Sequence, residues 1–244
     1  MSNADARRMF LRVLRSVSDH SDQYRINFEI HSFHVTNAAF GQVCQAIADQ
    51  RIGVRYDRTM EGRTLEEGGE QYRRRMFYQP TMDRFLTPVY STGGDAQVRA
   101  LIIHEAVHAY ADLVRARWMH IETSEASAYI AQSLFYYYIT NSGGRGRLGS
   151  EDENYDALFQ AAWDVALILA QNGTPRWGEY EAVRTAVGNI PAYQSQTGPR
   201  PYHGVRAERG DPAIAAYRPT CIAPHSSAFE PRIGPRRQNL LKLA

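Results

Sequence analysis

Residues 98–113 read VRALIIHEAVHAYADL, a mostly apolar run in which His104 and His108 stand four positions apart. On a helix, residues four apart lie one turn apart on the same face, so both imidazoles can reach one metal ion. Glu105 lies beside His104, off that pair, where its carboxylate can lean over a water held by the same ion. This is the HExxH arrangement, with two ligands and a general base supplied by about one turn of helix. Random placement of 8 His and 14 Glu in 244 residues gives about 0.015 such matches per chain, so the surrounding sequence has to decide its meaning.

Working outward, Asp95 is placed to cap this helix, after a turn at Ser91 to Gly94. Upstream, Met9, Phe10, Val13, Leu14 and Val17 recur at helical spacing and predict a helix over 4–17. Ile26, Phe28 and Ile30 alternate with polar residues, a strand pattern. Thr36 or Asn37 caps a helix with Phe40, Val43, Ala46 and Ile47 on its apolar face. Gly53 to Tyr56 reads as a short strand, and Glu61 to Glu70 as a polar loop. Residues 72–79 and 85–90 are aromatic-rich strand candidates split by Pro80 to Asp83. The second contains Pro88, which lacks a ladder donor and suits an edge.

Downstream, Thr123 or Ser124 caps a helix running to about Thr140, with Glu125 in its first turn. Ser142 to Gly146 interrupts the chain. A strong helix follows over 154–171, and a shorter one from Glu179 to Val187. The predicted class is α+β: a small mixed sheet precedes the histidine helix, and the C-terminal half is helical. Eight of the 11 prolines fall between Pro191 and Pro235, so residues 1–190 form the predicted domain and 191–244 a Pro-rich tail, extended or disordered.

The chain is long enough to bury a sizeable core, and its 43% hydrophobic and 22% charged residues are ordinary for a soluble globular protein. A net charge of +2 implies no strongly charged partner, and no nucleic acid is expected despite Arg73, Arg74 and Arg75 and a basic C-terminus. Cys44 and Cys221 offer neither a disulfide framework nor metal-binding spacing. No run approaches the roughly 20 apolar residues that span a bilayer, and residues 1–14 lack the pattern of a secretory signal. The expected location is the cytoplasm, or outside it after export without a cleavable signal. Oligomeric state is not legible.

A catalytic zinc site needs a third protein ligand and an open position for water. The candidates are His120, Glu122 and Glu125. A third histidine at position 114 would complete a different arrangement, but that residue is Val. Glu125 is favoured because it starts a new helix whose small residues, Ala126, Ser127 and Ala128, allow close approach to the first. Glu122 from the loop and His120 remain alternatives. Asp112, one turn beyond His108, is a candidate to hold a ligand imidazole through its other nitrogen. His20, His31, His34, His203 and His225 have no ligand spacing.

Over about residues 95–135 the sequence resembles the gluzincin branch of the zincin metallopeptidases, in which HExxH is followed by a glutamate ligand on a second helix. His104, Glu105, His108 and Glu125 match that pattern. Thermolysin-like members carry Asn-Glu-x-x-Ser-Asp around the third ligand, whereas here Ser124 precedes it and Ala128 and Tyr129 fill the last two positions. The resemblance is therefore to a divergent member. It implies a zincin-like fold, Zn2+ on His104, His108 and Glu125, and a peptide or protein substrate cleaved by an endopeptidase rather than an exopeptidase. Glu105 would be general base toward a metal-activated water. Tyr136, Tyr137, Tyr138, Tyr155, Tyr202 and His203 are candidates to stabilise the oxyanion, and the expected edge strand near Phe85 to Tyr90 could pair with a peptide. The alternatives are a catalytically inactive zincin-like module that binds a peptide or partner protein, and a chance HExxH in a helical interaction protein.

Overall fold

The computed structural model describes residues 2–58, 76–88, 95–116, 119–140, 146–150, 152–194, 202 and 204, together with the backbone of 64–67 and 70–73. Helix α1 (Asn3–Asp19) opens on a capping box between Ser2 and Asp5 and buries the predicted face of Met9, Phe10, Val13, Leu14 and Val17. Strands β1 (Asn27–Ile30) and β2 (Phe33–Thr36) form an antiparallel hairpin. His31 and Ser32 turn it at φ 47° and 66°, the signs that a type I′ turn demands. Helix α2 (Asn37–Ala48) follows directly. The Asn37 side chain does not cap it; its Nδ2 donates to the Val17 carbonyl at 2.8 Å and its Oδ1 accepts from the Ile26 amide at 3.0 Å. One amide thus ties the end of α1 to the start of the hairpin.

The sheet beneath the histidine helix has three strands: β3 (Gly53–Tyr56), β6 (Phe77–Gln79) and β7 (Arg84–Thr87). Their order is β3-β7-β6, with β7 parallel to β3 and antiparallel to β6. The expected edge strand is therefore the middle one. Pro88 lies just beyond Thr87, where its missing N–H ends the strand instead of marking an edge. A second difference lies upstream. The expected loop from Glu61 to Glu70 contributes a hairpin of β4 (Thr64–Glu67) and β5 (Glu70–Arg73). The single strand expected over 72–79 is thus two, β5 and β6. Pro80–Met82 makes one 3-10 turn, closed by Asp83 at φ 45°.

Helix α3 (Ala96–Leu113) starts where predicted, with Asp95 accepting from the amides of Gln97 and Val98 at 2.8 and 3.4 Å. Such a cap is worth about 1 kcal/mol. Thirteen of its 18 residues are buried, which makes it a central helix and not an amphipathic surface one. It ends in a Schellman arrangement, with the Ala116 amide on the Ala111 carbonyl and the Arg115 amide on that of Asp112. The left-handed residue there is Arg115, at φ 55°, where glycine is usual; the conformation costs an arginine about 1 kcal/mol.

Helix α4 (Ile121–Thr140) begins three or four residues earlier than predicted, so Thr123 and Ser124 lie inside it and Glu125 falls in its second turn. The Ser124 amide reaches back to the His120 carbonyl at 3.0 Å, so the backbone turn is already helical there. Ser124, Ala126, Ser127, Ala128 and Ala131 are all buried, and these short side chains let α4 lie closely along α3. Helices α5 (Glu153–Ala170) and α6 (Trp177–Gly188) complete the helical half, with α5 against α4 and α6 against both. Phe10 of α1 meets Phe85 of β7 with ring centroids 4.7 Å apart, which joins the sheet to the same core as the helices. Helix α7 (Pro191–Gln194) is a short turn in the Pro-rich region. Arg74, Arg75, His203, Cys221, His225 and the rest of 205–244 lie outside the described residues. Among the described residues, no helix is long and apolar enough to cross a membrane.

Candidate metal centre

Helices α3 and α4 bring His104, His108 and Glu125 together in the core. Nε2 of His104 lies 3.3 Å from Nε2 of His108 and 3.4 Å from Oε2 of Glu125, and His108 Nε2 lies 3.5 Å from Glu125 Oε1. The three residues are 0%, 4% and 1% exposed. A tetrahedral ion with bonds of about 2.0–2.1 Å separates its ligand atoms by about 1.63 times that length, or roughly 3.3–3.4 Å. The two imidazole nitrogens have that separation, the carboxylate turns one oxygen to each ring, and one ligand atom from each residue lies within 4.8 Å of the others, so these residues could hold a metal ion.

Protonation is consistent with such a role. His104 Nδ1 lies 3.0 Å from Oε1 of Gln132. An amide oxygen only accepts, so the Nδ1 proton sits there and the Nε2 lone pair faces the centre. His108 Nδ1 meets the hydroxyls of Ser124 at 3.0 Å and Tyr202 at 3.1 Å, and those two hydroxyls are 2.8 Å apart. The Tyr193 hydroxyl donates to Glu125 Oε2 at 3.0 Å. Two imidazole nitrogens and a carboxylate this close, away from water, need a shared proton or a metal cation among them. The edge of the Tyr129 ring abuts the His104 imidazole, centroids 4.6 Å apart, and fixes its plane.

Glu105 is 2% exposed and accepts the Tyr78 amide on Oε2 at 2.8 Å. That amide belongs to β6, the end strand of the sheet order, so the outer side of β6 addresses the HExxH glutamate. The Tyr78 hydroxyl continues along α3 and donates to Asp112 Oδ2 at 2.7 Å, while the Gly204 amide donates to Asp112 Oδ1 at 3.0 Å. Asp112 thus joins the sheet and the C-terminal segment to α3, and the ligand imidazoles take their Nδ1 partners from Gln132, Ser124 and Tyr202. The Tyr78 hydroxyl is held well above the ordinary tyrosine range, first by burial and then by the negative charge of Asp112.

Of the three candidates for a third ligand, the structure brings Glu125 to the imidazoles. His120 is exposed at the start of α4 and Glu122 is only half-buried; neither joins the cluster. Tyr202 is fully buried against His108. Tyr137 and Tyr138 instead pack on Trp163 and Tyr24, and Tyr136 and Tyr155 lie in the helical core. The sequence reading missed Gln132, Tyr193 and Tyr78. Gln132 had a signal, since it lies seven residues after Glu125, two turns along the same face of α4. Tyr193 had none, because it comes from the Pro-rich stretch. No family model, no curated protein and no solved structure matches the chain.

Proposed function

We propose that this chain is a zinc-dependent metallopeptidase of the zincin type, an endopeptidase acting on peptide or protein substrates. The observation that carries the reading is the buried cluster of His104, His108 and Glu125, with one ligand atom of each within 4.8 Å of the others and Glu105 next to the first ligand. The donor set favours zinc: two imidazoles and one carboxylate are a common catalytic set, and three protein ligands leave a position open. Zinc held there would acidify a water and polarise a substrate carbonyl. Glu105 would take the proton from the attacking water and deliver it to the leaving amine. The Tyr78 amide on its Oε2 fixes the carboxylate before the transfer. Gln132 holds His104 in the ligating tautomer, and Tyr193 holds Glu125. Tyr202 and Ser124 meet His108 at Nδ1, the ring nitrogen away from Glu125.

The depth of the ligands favours a second reading, a zincin-like module that holds a metal and binds a peptide or partner protein without cleaving it. Each ligand is at most 4% exposed, and Tyr202 lies fully buried on His108. Glu105→Gln separates the two readings. Under the first, the variant keeps its zinc and loses peptide cleavage, followed by mass spectrometry of products from a cell lysate. Full cleavage by the variant sinks the mechanism, and wild-type protein that holds zinc but cleaves nothing supports the second reading.

A further inference from the structure

We propose that a cavity beside the metal centre binds the carboxylate of a small organic anion, with Arg115 and Arg184 as its cationic donors. The cavity is open to the surface and has a volume of about 680 Å³, in the range of small-molecule sites, between the β1–β2 turn, the α3–α4 corner and α6. Among the described residues its wall carries Arg115, Arg184, His31 and His120 and no carboxylate, with Phe33 and Met119 as apolar lining. Glu181, which is not on the wall, accepts from Nη1 of Arg184 on both carboxylate oxygens, at 2.8 and 3.0 Å, and so orients that guanidinium. Arg184 Nε is buried with no hydrogen-bond partner among the described residues.

Two further observations point to a ligand. Arg115 occupies the left-handed position that ends α3, where glycine is the unstrained residue, and a strained backbone that presents a cation into a cavity is a functional signature. The apolar surface continues outside: Val114, also on the wall, is 45% exposed, and Trp177, 58% exposed, stacks edge-on against His31 with centroids 4.6 Å apart. Cationic donors beside exposed apolar side chains suit an anion with a hydrophobic body better than a bare inorganic one.

The cavity is physically joined to the metal centre. The Arg115 side chain packs so tightly on Gly204 that a Cβ there would lie 2.8 Å from Arg115 Nε, and Gly204 takes φ 94°, so only glycine fits. Two residues earlier Tyr202 rests on His108. The inference itself does not require a metal.

The test is calorimetric titration of the full chain with N-acetyl-phenylalanine, its neutral amide and inorganic phosphate at matched ionic strength, with zinc present and again after chelation. The carboxylate is expected to bind at least tenfold more tightly than the amide or phosphate, with or without zinc. Arg115→Gln and Arg184→Gln should each weaken it about tenfold or more, as loss of a charge-assisted bond does, with unchanged melting temperature as the check that the variant folds. Equal binding of the amide, equal binding of phosphate alone, or undiminished affinity in both folded variants would overturn the proposal. Binding that persists without zinc while peptide cleavage is absent would keep this site and discard the peptidase reading.

Discussion

The Oε1 atom of Gln132 accepts the Nδ1 proton of His104 across 3.0 Å, so a residue of α4 sets the tautomer of a histidine on α3. The same helix carries Glu125, two turns earlier. One rigid element therefore supplies a ligand and orients another, and α3 supplies the rest. Replacing Gln132 by Leu keeps the volume and removes the acceptor. Metal affinity, measured by competition with a chromophoric chelator, is expected to fall about 10–100-fold with little change in fold. Unchanged affinity would mean that Tyr129 packing alone orients the ring.

The C-terminal segment is seated on the centre through hydroxyls. Tyr202 and Ser124 bond each other at 2.8 Å and share His108 Nδ1. Tyr202→Phe removes one hydroxyl from a buried network and should cost about 1–3 kcal/mol of unfolding free energy. Combined with Ser124→Ala, the losses should not add; a coupling of about 0.5–3 kcal/mol is expected from urea unfolding of the four proteins in the cycle. Additive costs would show that the Tyr202 segment is not seated on His108 in solution.

The parts of this architecture legible in the sequence are those governed by local rules. Asp95 caps α3 through its own side chain, the α1 face follows from 3.6-residue spacing, and His104 and His108 meet because a helix brings residues four apart together. Glu125 was reachable too, since the small residues around it foretold a close helix pair. What failed depended on long-range pairing. Pro88 suggests an edge, yet whether β7 has one neighbour or two depends on β3, about thirty residues earlier, and on β6. The roles of Tyr78 and Tyr193 depend on chain separations of 27 and 68 residues, over which no periodicity speaks. Asp112 shows the same limit. Its spacing from His108 proposed one partner, and the tertiary fold supplied Tyr78 and Gly204.

Tyr78 gives a pH test of how sheet and helix are joined. Its hydroxyl is buried and donates to Asp112, and both burial and that negative charge raise its pKa well above the ordinary value. The folded chain therefore keeps a proton that the unfolded chain releases above about pH 10. With more protons bound when folded, stability must fall as pH rises through that region, and the contribution is fully present below it. In Tyr78→Phe the bond to Asp112 is gone, at a cost of about 1–3 kcal/mol near neutrality, and so is the titration. The stability gap between wild type and variant should thus narrow from pH 9 to pH 11, because the other tyrosines titrate equally in both. Melting curves across that range measure it. A gap that stays constant would place the Tyr78 hydroxyl in water and detach β6 from the Asp112 end of α3.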